Sequence, residues 1–171
     1  PRANLHVRFQ LLKLSIRMRL LASDPMSLQC TPLHQLCRDG GGRMVPFAGW
    51  EMPVQFKGLI QEHKAVREQL GMFDISHMGV IRLEGPDPKS ALQQLVPSDL
   101  HRIGPGEASY TVLLNESGGI RDDLIVYDCG AIDAERGALV VVINAACAES
   151  DTAWIRERME PAGLTVTDIK K

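Results

Sequence analysis

The stretch Gly118-Gly-Ile-Arg-Asp-Asp-Leu-Ile-Val-Tyr127 holds the side chains best suited to chemistry. It reads as a strand that follows a turn, and side chains alternate across a strand. Asp123, Ile125 and Tyr127 therefore share one face, while Asp122, Leu124, Val126 and Asp128 share the other. One carboxylate of the adjacent pair must point towards whichever face is covered. A carboxylate there is costly unless it is paired or hydrogen-bonded. It is then a candidate for holding a cationic or N–H-bearing ligand. The competing reading is an Asp at the strand edge that ties down the Gly-Gly turn through backbone N–H groups.

Other polar residues are weaker candidates on local grounds. Asn144 follows the apolar run Leu139 to Ile143 and precedes a helical pattern, which predicts a plain N-cap. Tyr110 shares a strand face with Val112 and Leu114 and reads as core or rim. In Ser76-His77-Met78, His77 has no Ser or Cys nucleophile to serve and reads as a turn-stabilising residue. Met78 reads as packing, although a flexible thioether also suits the wall of a flat ligand's pocket. Trp50, between Pro46 and Pro53, reads as a core anchor. Gly40-Gly-Gly lacks the context of a phosphate loop. Cys30, Cys37, Cys129 and Cys147 form no C-x-x-C pair and fit no zinc spacing. They read as free thiols in a reducing compartment, and no metal site is expected.

The elements that must carry these residues follow from periodicity and punctuation. Thr31 is placed as the N-cap of a short helix with Pro32 at its first position, ended by Gly40-Gly-Gly. Arg43 to Pro53 reads as irregular. Leu59, His63, Val66 and Leu70 predict a helix over Gly58 to Leu70, with Gly71 as its C-terminal cap. Val80 to Leu83 is a short strand, and Asp87-Pro88 opens a helix whose apolar face is Ala91, Leu92, Leu95 and Val96. Strands follow over Ser109 to Leu114, Ile120 to Tyr127 and Ala138 to Ile143, the first two joined by a turn at Asn115-Glu-Ser-Gly-Gly119. A helix from Asn144 to about Met159, with Trp154, Ile155 and Met159 on its apolar side, and a strand from Leu164 to Ile169 complete the body. The expected class is α+β, an antiparallel sheet with packed helices.

The whole chain has 171 residues, 44% hydrophobic and 23% charged, with a net charge of -2. That balance excludes a disordered tail and lacks the basic field of a nucleic-acid binder. Aromatic residues make up only 5%, which argues against a base-stacking platform. No apolar run reaches the length of a membrane span. Residues 1–26 stand apart. Arg2, Arg8, Lys13, Arg17 and Arg19 are basic and no acid precedes Asp24. They read as upstream or targeting sequence, disordered or loosely helical, ahead of a body at residues 27–171. Upstream sequence is the preferred reading of the two.

Several strings taken together resemble one family. They are Thr31-Pro-Leu-His, Gly42-Arg-Met-Val-Pro-Phe-Ala-Gly-Trp-Glu-Met-Pro53, Glu62-His-Lys-Ala-Val-Arg67, Gly71-Met-Phe-Asp-Ile-Ser-His-Met-Gly79, Asn115 to Tyr127 and Val142-Ile-Asn-Ala-Ala146. In order and spacing they resemble the start of the aminomethyltransferases, the T-proteins of the glycine cleavage system. The resemblance implies transfer of a one-carbon unit from the aminomethyl-lipoyl arm of the H-protein to tetrahydrofolate, with release of ammonia. It implies Asp123 as the catalytic carboxylate, which is then expected to be the acid facing inward from its strand, and folate contacts at Tyr110, Asp123, Tyr127 and Asn144, with Met78 lining the pterin pocket. It also implies the N-terminal part of a longer folate-binding fold, with later pterin and glutamate-tail contacts lying outside this sequence. The expectation is that these 171 residues alone bind folate poorly and turn over little, in a cytoplasmic setting, or a mitochondrial one if the source is eukaryotic. Folate-binding iron–sulfur assembly proteins, folate-dependent demethylase or dehydrogenase domains, and an inactive fragment are the alternatives.

Overall fold

The computed structural model describes residues 28–170, so the reading of residues 1–26 falls outside the described residues. Its centre is a five-stranded antiparallel sheet. The strands are β3 (Gly79–Gly85), β4 (Ala108–Leu114), β5 (Ile120–Ala131), β6 (Gly137–Ile143) and β7 (Thr165–Asp168), in the spatial order β4-β5-β6-β3-β7. β6 returns beside β3, with Gly79 opposite Ile143 and Gly85 opposite Gly137. β5 lies between β4 and β6, with Val112 opposite Asp123 and Leu124 opposite Ile143. This is the α+β class expected from the pattern.

The sheet has one covered face. Alternate residues Ile81 and Leu83, Leu124 and Val126, and Leu139, Val141 and Ile143 are buried. Against them pack α3 (Pro88–Gln93), through Ala91 and Leu92, and α4 (Ala148–Met159), through Ile155 and Met159. Each fully buried Leu, Ile or Val contributes about 1.5–3 kcal/mol of transfer free energy as an upper estimate. The core thus fixes which face of β5 looks inward. The close approach of α4 to the sheet needs Gly79, where a Cβ would stand 2.8 Å from that of Ala148.

α3 begins as its sequence predicts. Asp87 caps it, its carboxylate accepting from Ser90 N–H at 3.2 Å, with Pro88 at the first position. Asp87 itself sits at φ 40°, a left-handed conformation that Asp and Asn tolerate better than most residues. Asp87→Asn keeps both features. Asp87→Ala loses both, and we expect it to lower unfolding stability in urea by about 1 kcal/mol while the Asn variant stays near wild type.

Four local expectations are corrected. Arg43 to Pro53 is a β-hairpin, β1 (Met44–Phe47) against β2 (Trp50–Pro53), with Phe47 opposite Trp50. Ala48 at φ 48° and Gly49 at φ 82° form its two-residue turn. In a two-stranded ribbon both strands are edges, so Pro46 and Pro53 are tolerated. Trp50 is half-buried on β2 with the Lys170 ammonium 4.3 Å from its ring centre, so it is not a core anchor. The first helix, α1, runs His34–Asp39 and is not capped by Thr31. The Thr31 hydroxyl donates instead to the Asp74 carboxylate at 2.6 Å. The second helix, α2 (Leu59–Glu68), ends on Gln69 with no left-handed cap at Gly71, and none of its residues is buried. Its start is tied by the Glu62 carboxylate, which accepts from the N–H groups of Phe56, Lys57 and Gly58. The Gly58 bond first, and the other two with it, hold that carboxyl below its ordinary range.

Candidate functional site

The covered face carries Asp122, Leu124, Val126 and Asp128. Asp123, Ile125 and Tyr127 therefore lie on the open face. On that face the Tyr110 hydroxyl donates to Oδ2 of Asp123 at 2.9 Å, and Asn144 Nδ2 donates to Oδ1 at 3.0 Å. Two neutral donors thus converge on one carboxylate. The three residues come from β4, from β5 and from the position just past β6, so sheet register brings them together. The bond to Asp123 is the leading reason the Tyr110 phenol is pushed above its ordinary range, with its nearness to carboxylate charge adding to this.

The cluster is exposed. Tyr110 is 68% exposed and Tyr127 41%. The expectation that Asp123 faces inward is corrected: the inward-facing carboxylate of the pair is Asp122, because the helices cover the Leu124 and Val126 face, and Asp123 looks out from the uncovered side of the sheet. Around Asp123 that side offers the half-buried Val112, Ile125 and Val142. Met78, half-buried, lies one residue before the Gly79–Ile143 pair and so occupies the register position across from Asn144. Tyr127 lies about 13 Å further along β5 and shares no hydrogen bond with the cluster. A carboxylate on an apolar platform beside one phenol suits a flat heterocycle that can donate N–H groups.

Two local roles change in the structure. Asn144 is not an N-cap. The helix starts at Ala148, with Cys147 preceding it and no side-chain cap. Asn144 Nδ2 instead reaches Asp122 Oδ1 at 2.8 Å as well as Asp123, and its backbone N–H reaches Asp122 Oδ2 at 3.3 Å. His77 does not stabilise its turn through its ring, because Nδ1 is buried without a partner and the ring packs edge-on against Phe47. Burial lowers its pKa, so the ring is neutral at pH 7. The Asp74 carboxylate holds that turn through Ser76 N–H at 2.9 Å.

Sequence reasoning also missed what stands behind the pair. Asp151 in the first turn of α4 is 2% exposed. The Arg121 guanidinium approaches its Oδ1 at 3.3 Å and lies over the Trp154 ring. A signal was present: Asp151, Ile155 and Met159 are spaced four apart, so an acid occupies the first place of an apolar stripe. Two clefts, of about 360 and 570 Å³, lie elsewhere, one beside Asp128 and Arg136 and one along α2. All four cysteines are free. Among the described residues, no helix is long and apolar enough to cross a membrane.

The sheet and its carboxylate cluster thus define an α+β domain that presents an acid, held by Tyr110 and Asn144, on its open face. The chain belongs to the family described as the GCVT N-terminal domain, which matches residues 33–171. It is 89% identical over 145 residues to an aminomethyltransferase of Parasynechococcus marenigrum, covering 85% of this chain and 40% of that protein. It is 85% identical over 140 residues to an aminomethyltransferase of a Synechococcus species, covering 82% of this chain and 38% of that protein. The crystal structure of the glycine cleavage system aminomethyltransferase T from Bartonella henselae superposes with a TM-score of 0.73 at 35% identity, covering 84% of this chain and 39% of the other. The chain therefore spans about 40% of the length of the curated relatives it matches.

Proposed function

We propose that this chain supplies the acidic wall of an aminomethyltransferase site, in which the aminomethyl group on a lipoylated H-protein passes its carbon to tetrahydrofolate and ammonia leaves. The observation that carries the reading is the Asp123 carboxylate held between Tyr110 and Asn144 on the open apolar face. The family match and the relatives named above support it. In this reading Asp123 is the catalytic residue. Loss of ammonia from an S–CH2–NH2 unit develops positive charge near nitrogen and carbon. A carboxylate already oriented by two donors stabilises that charge with little reorganisation. The same carboxylate can accept a hydrogen bond from a folate N–H and keep the attacking nitrogen in line.

The remaining predicted contacts take lesser parts. Tyr110 and Asn144 orient the acid, and Tyr127 and Met78 offer apolar surface to the pterin. Residues 27–171 serve as the N-terminal portion of the folate-binding unit. The reaction is placed in the cytoplasm, where thiols such as Cys30 and Cys129, both exposed, stay reduced.

Because the face is open, the 171-residue chain by itself should hold tetrahydrofolate weakly. A chain in which these residues continue into the remaining sequence of the Parasynechococcus marenigrum relative should hold it tightly. Equilibrium titration of both chains is the test. Tight binding by the shorter chain, or equal weakness in the two, overturns the assignment of the open face as one wall of the folate site.

A further inference from the structure

Asp122 lies behind the acid assigned to the chemistry, on the opposite side of the same strand. Its carboxylate accepts from two N–H groups of Asn144, one of the Nδ2 pair on Oδ1 at 2.8 Å and the backbone N–H on Oδ2 at 3.3 Å. This two-point clamp fixes the rotation of the Asn144 side chain. It also fixes which end of the carboxamide meets Asp123, because a flipped amide would set its oxygen against two carboxylates. Asn144 Nδ2 then reaches Asp123 Oδ1 at 3.0 Å and the Asp123 carbonyl at 3.2 Å.

Deeper still, Asp151 has one oxygen, Oδ2, buried with no hydrogen-bond donor. Carboxylate oxygens of Asp122 and Asp151 and the Cys147 sulfur all lie within 4.8 Å of one another. Two acids this close in a covered site do not both ionise freely, and a proton carried on the orphaned oxygen would turn it from an unmet acceptor into a donor.

We propose that Asp122 is a positioning residue of this site, aiming the Asn144 carboxamide at Asp123 through the sheet, and that the buried Asp151, as a neutral carboxylic acid, backs Asp122 as its hydrogen-bond donor. The proposal rests on the reading of Asp123 given above.

The groups facing Asp151 agree with it. Arg121, from β5, contacts only Oδ1, and the Ser150 hydroxyl also turns to Oδ1. Asp122, from β5, and Cys147, just before α4, complete the set of groups close to it. Burial first, and the Asp122 charge with it, push the Asp151 carboxyl up against the pull of Arg121. Burial and the same acids push the Cys147 thiol up, so it stays protonated. A divalent cation is a poor occupant, because Asn144 donors already reach both Asp122 oxygens and a guanidinium stands beside Asp151.

Nuclear magnetic resonance of the 171-residue chain decides this without any turnover. We expect one carboxyl carbon to titrate above the ordinary Asp range and to vanish in Asp151→Asn. We expect the Asn144 side-chain protons to be shifted and slow to exchange. They should move to free-amide positions in Asp122→Ala and Asp151→Leu, and stay in place in Asp151→Asn, whose amide can still donate to Asp122. Backbone amide shifts of β4 and β6 report whether each variant is folded. If Asp122→Ala does not fold, the wild-type titration and the Asp151 variants still decide. An Asn144 signal unmoved by Asp122→Ala, an Asp151 carboxyl that titrates as an ordinary acid, or equimolar Mg²⁺ or Zn²⁺ shifting these same carbons overturns the proposal. In the chain completed from the relative, Asp122→Asn should lower kcat roughly tenfold or more with KM for tetrahydrofolate little changed. A wild-type completed chain with no turnover would sink the aminomethyltransferase reading and leave the resonance results standing.

Discussion

In the chain completed from the Parasynechococcus marenigrum relative, Asp123→Asn is expected to lower turnover by about 10²–10³-fold, the scale of losing one electrostatic partner of a developing charge. The substitution keeps the shape of the side chain. One amide oxygen remains to accept from Asn144 Nδ2, and the Tyr110 hydroxyl can rotate to accept from the new NH2. Asp123 is exposed, so the change should move unfolding stability by no more than about 1 kcal/mol. The loss should fall on kcat more than on KM for tetrahydrofolate, because the charge acts chiefly as ammonia leaves. Tyr110→Phe removes one neutral hydrogen bond and should cost about tenfold at most. Turnover of Asp123→Asn within threefold of wild type, in protein of unchanged stability, would end the electrostatic role.

How much of this site the sequence discloses depends on whether a cause is local. The alternation of β5 is legible because a period of two needs only the strand and the Asn115–Gly119 turn before it. Asn115 Oδ1 accepts from Ser117 and Gly119 there, as a turn of that composition should. Which face is covered is another matter. α3 and α4 decide it by packing on Leu124 and Val126, and alternation alone is equally consistent with Asp122 or Asp123 pointing inward.

Asn144 shows the limit from the other side. Local rules favour an N-cap, but two carboxylates brought up by β5 offer charge-assisted hydrogen bonds, which are stronger than a bond to a helix N–H. The helix accordingly starts four residues later. The hairpin from Met44 to Pro53 was hidden by its prolines, which are penalised only where a strand has neighbours on both sides. α2 has the right period, yet its Leu59, Ile60 and Val66 stay exposed, because periodicity reports a potential contact face and not what covers it.

The other large effect lies far from the ligand face, at the one carboxylate on the covered side of β5 that has a full cationic partner. Asp128 is 5% exposed, and Lys89 Nζ meets its Oδ2 at 2.6 Å. The same ammonium donates to the Ile103 carbonyl at 2.5 Å, and the other Asp128 oxygen accepts from Gly130 N–H at 2.8 Å across a bulge in β5. The pair therefore joins α3, the loop before β4 and the far end of β5.

Lys89→Met leaves Asp128 buried and charged with one backbone donor, and we expect a loss of about 3 kcal/mol in urea unfolding. Asp128→Leu should cost less, because Lys89 is 22% exposed and can turn its ammonium to water. The double variant Lys89→Met, Asp128→Leu should recover most of the stability, since it buries no charge.

The pH dependence separates these cases by sign. In the native chain burial pushes the Asp128 carboxyl up, but the Lys89 bond, the Gly130 N–H and the Lys89 charge together outweigh it and bring it below its ordinary range. Its contribution is present above about pH 4 and is lost as pH falls through the lowered value. In Lys89→Met burial prevails, the folded carboxyl binds its proton more tightly than the unfolded one, and stability falls as pH rises from about 4. Parallel stability curves for wild type and Lys89→Met between pH 3 and 7 would show that the ion pair is not what holds Asp128 in place.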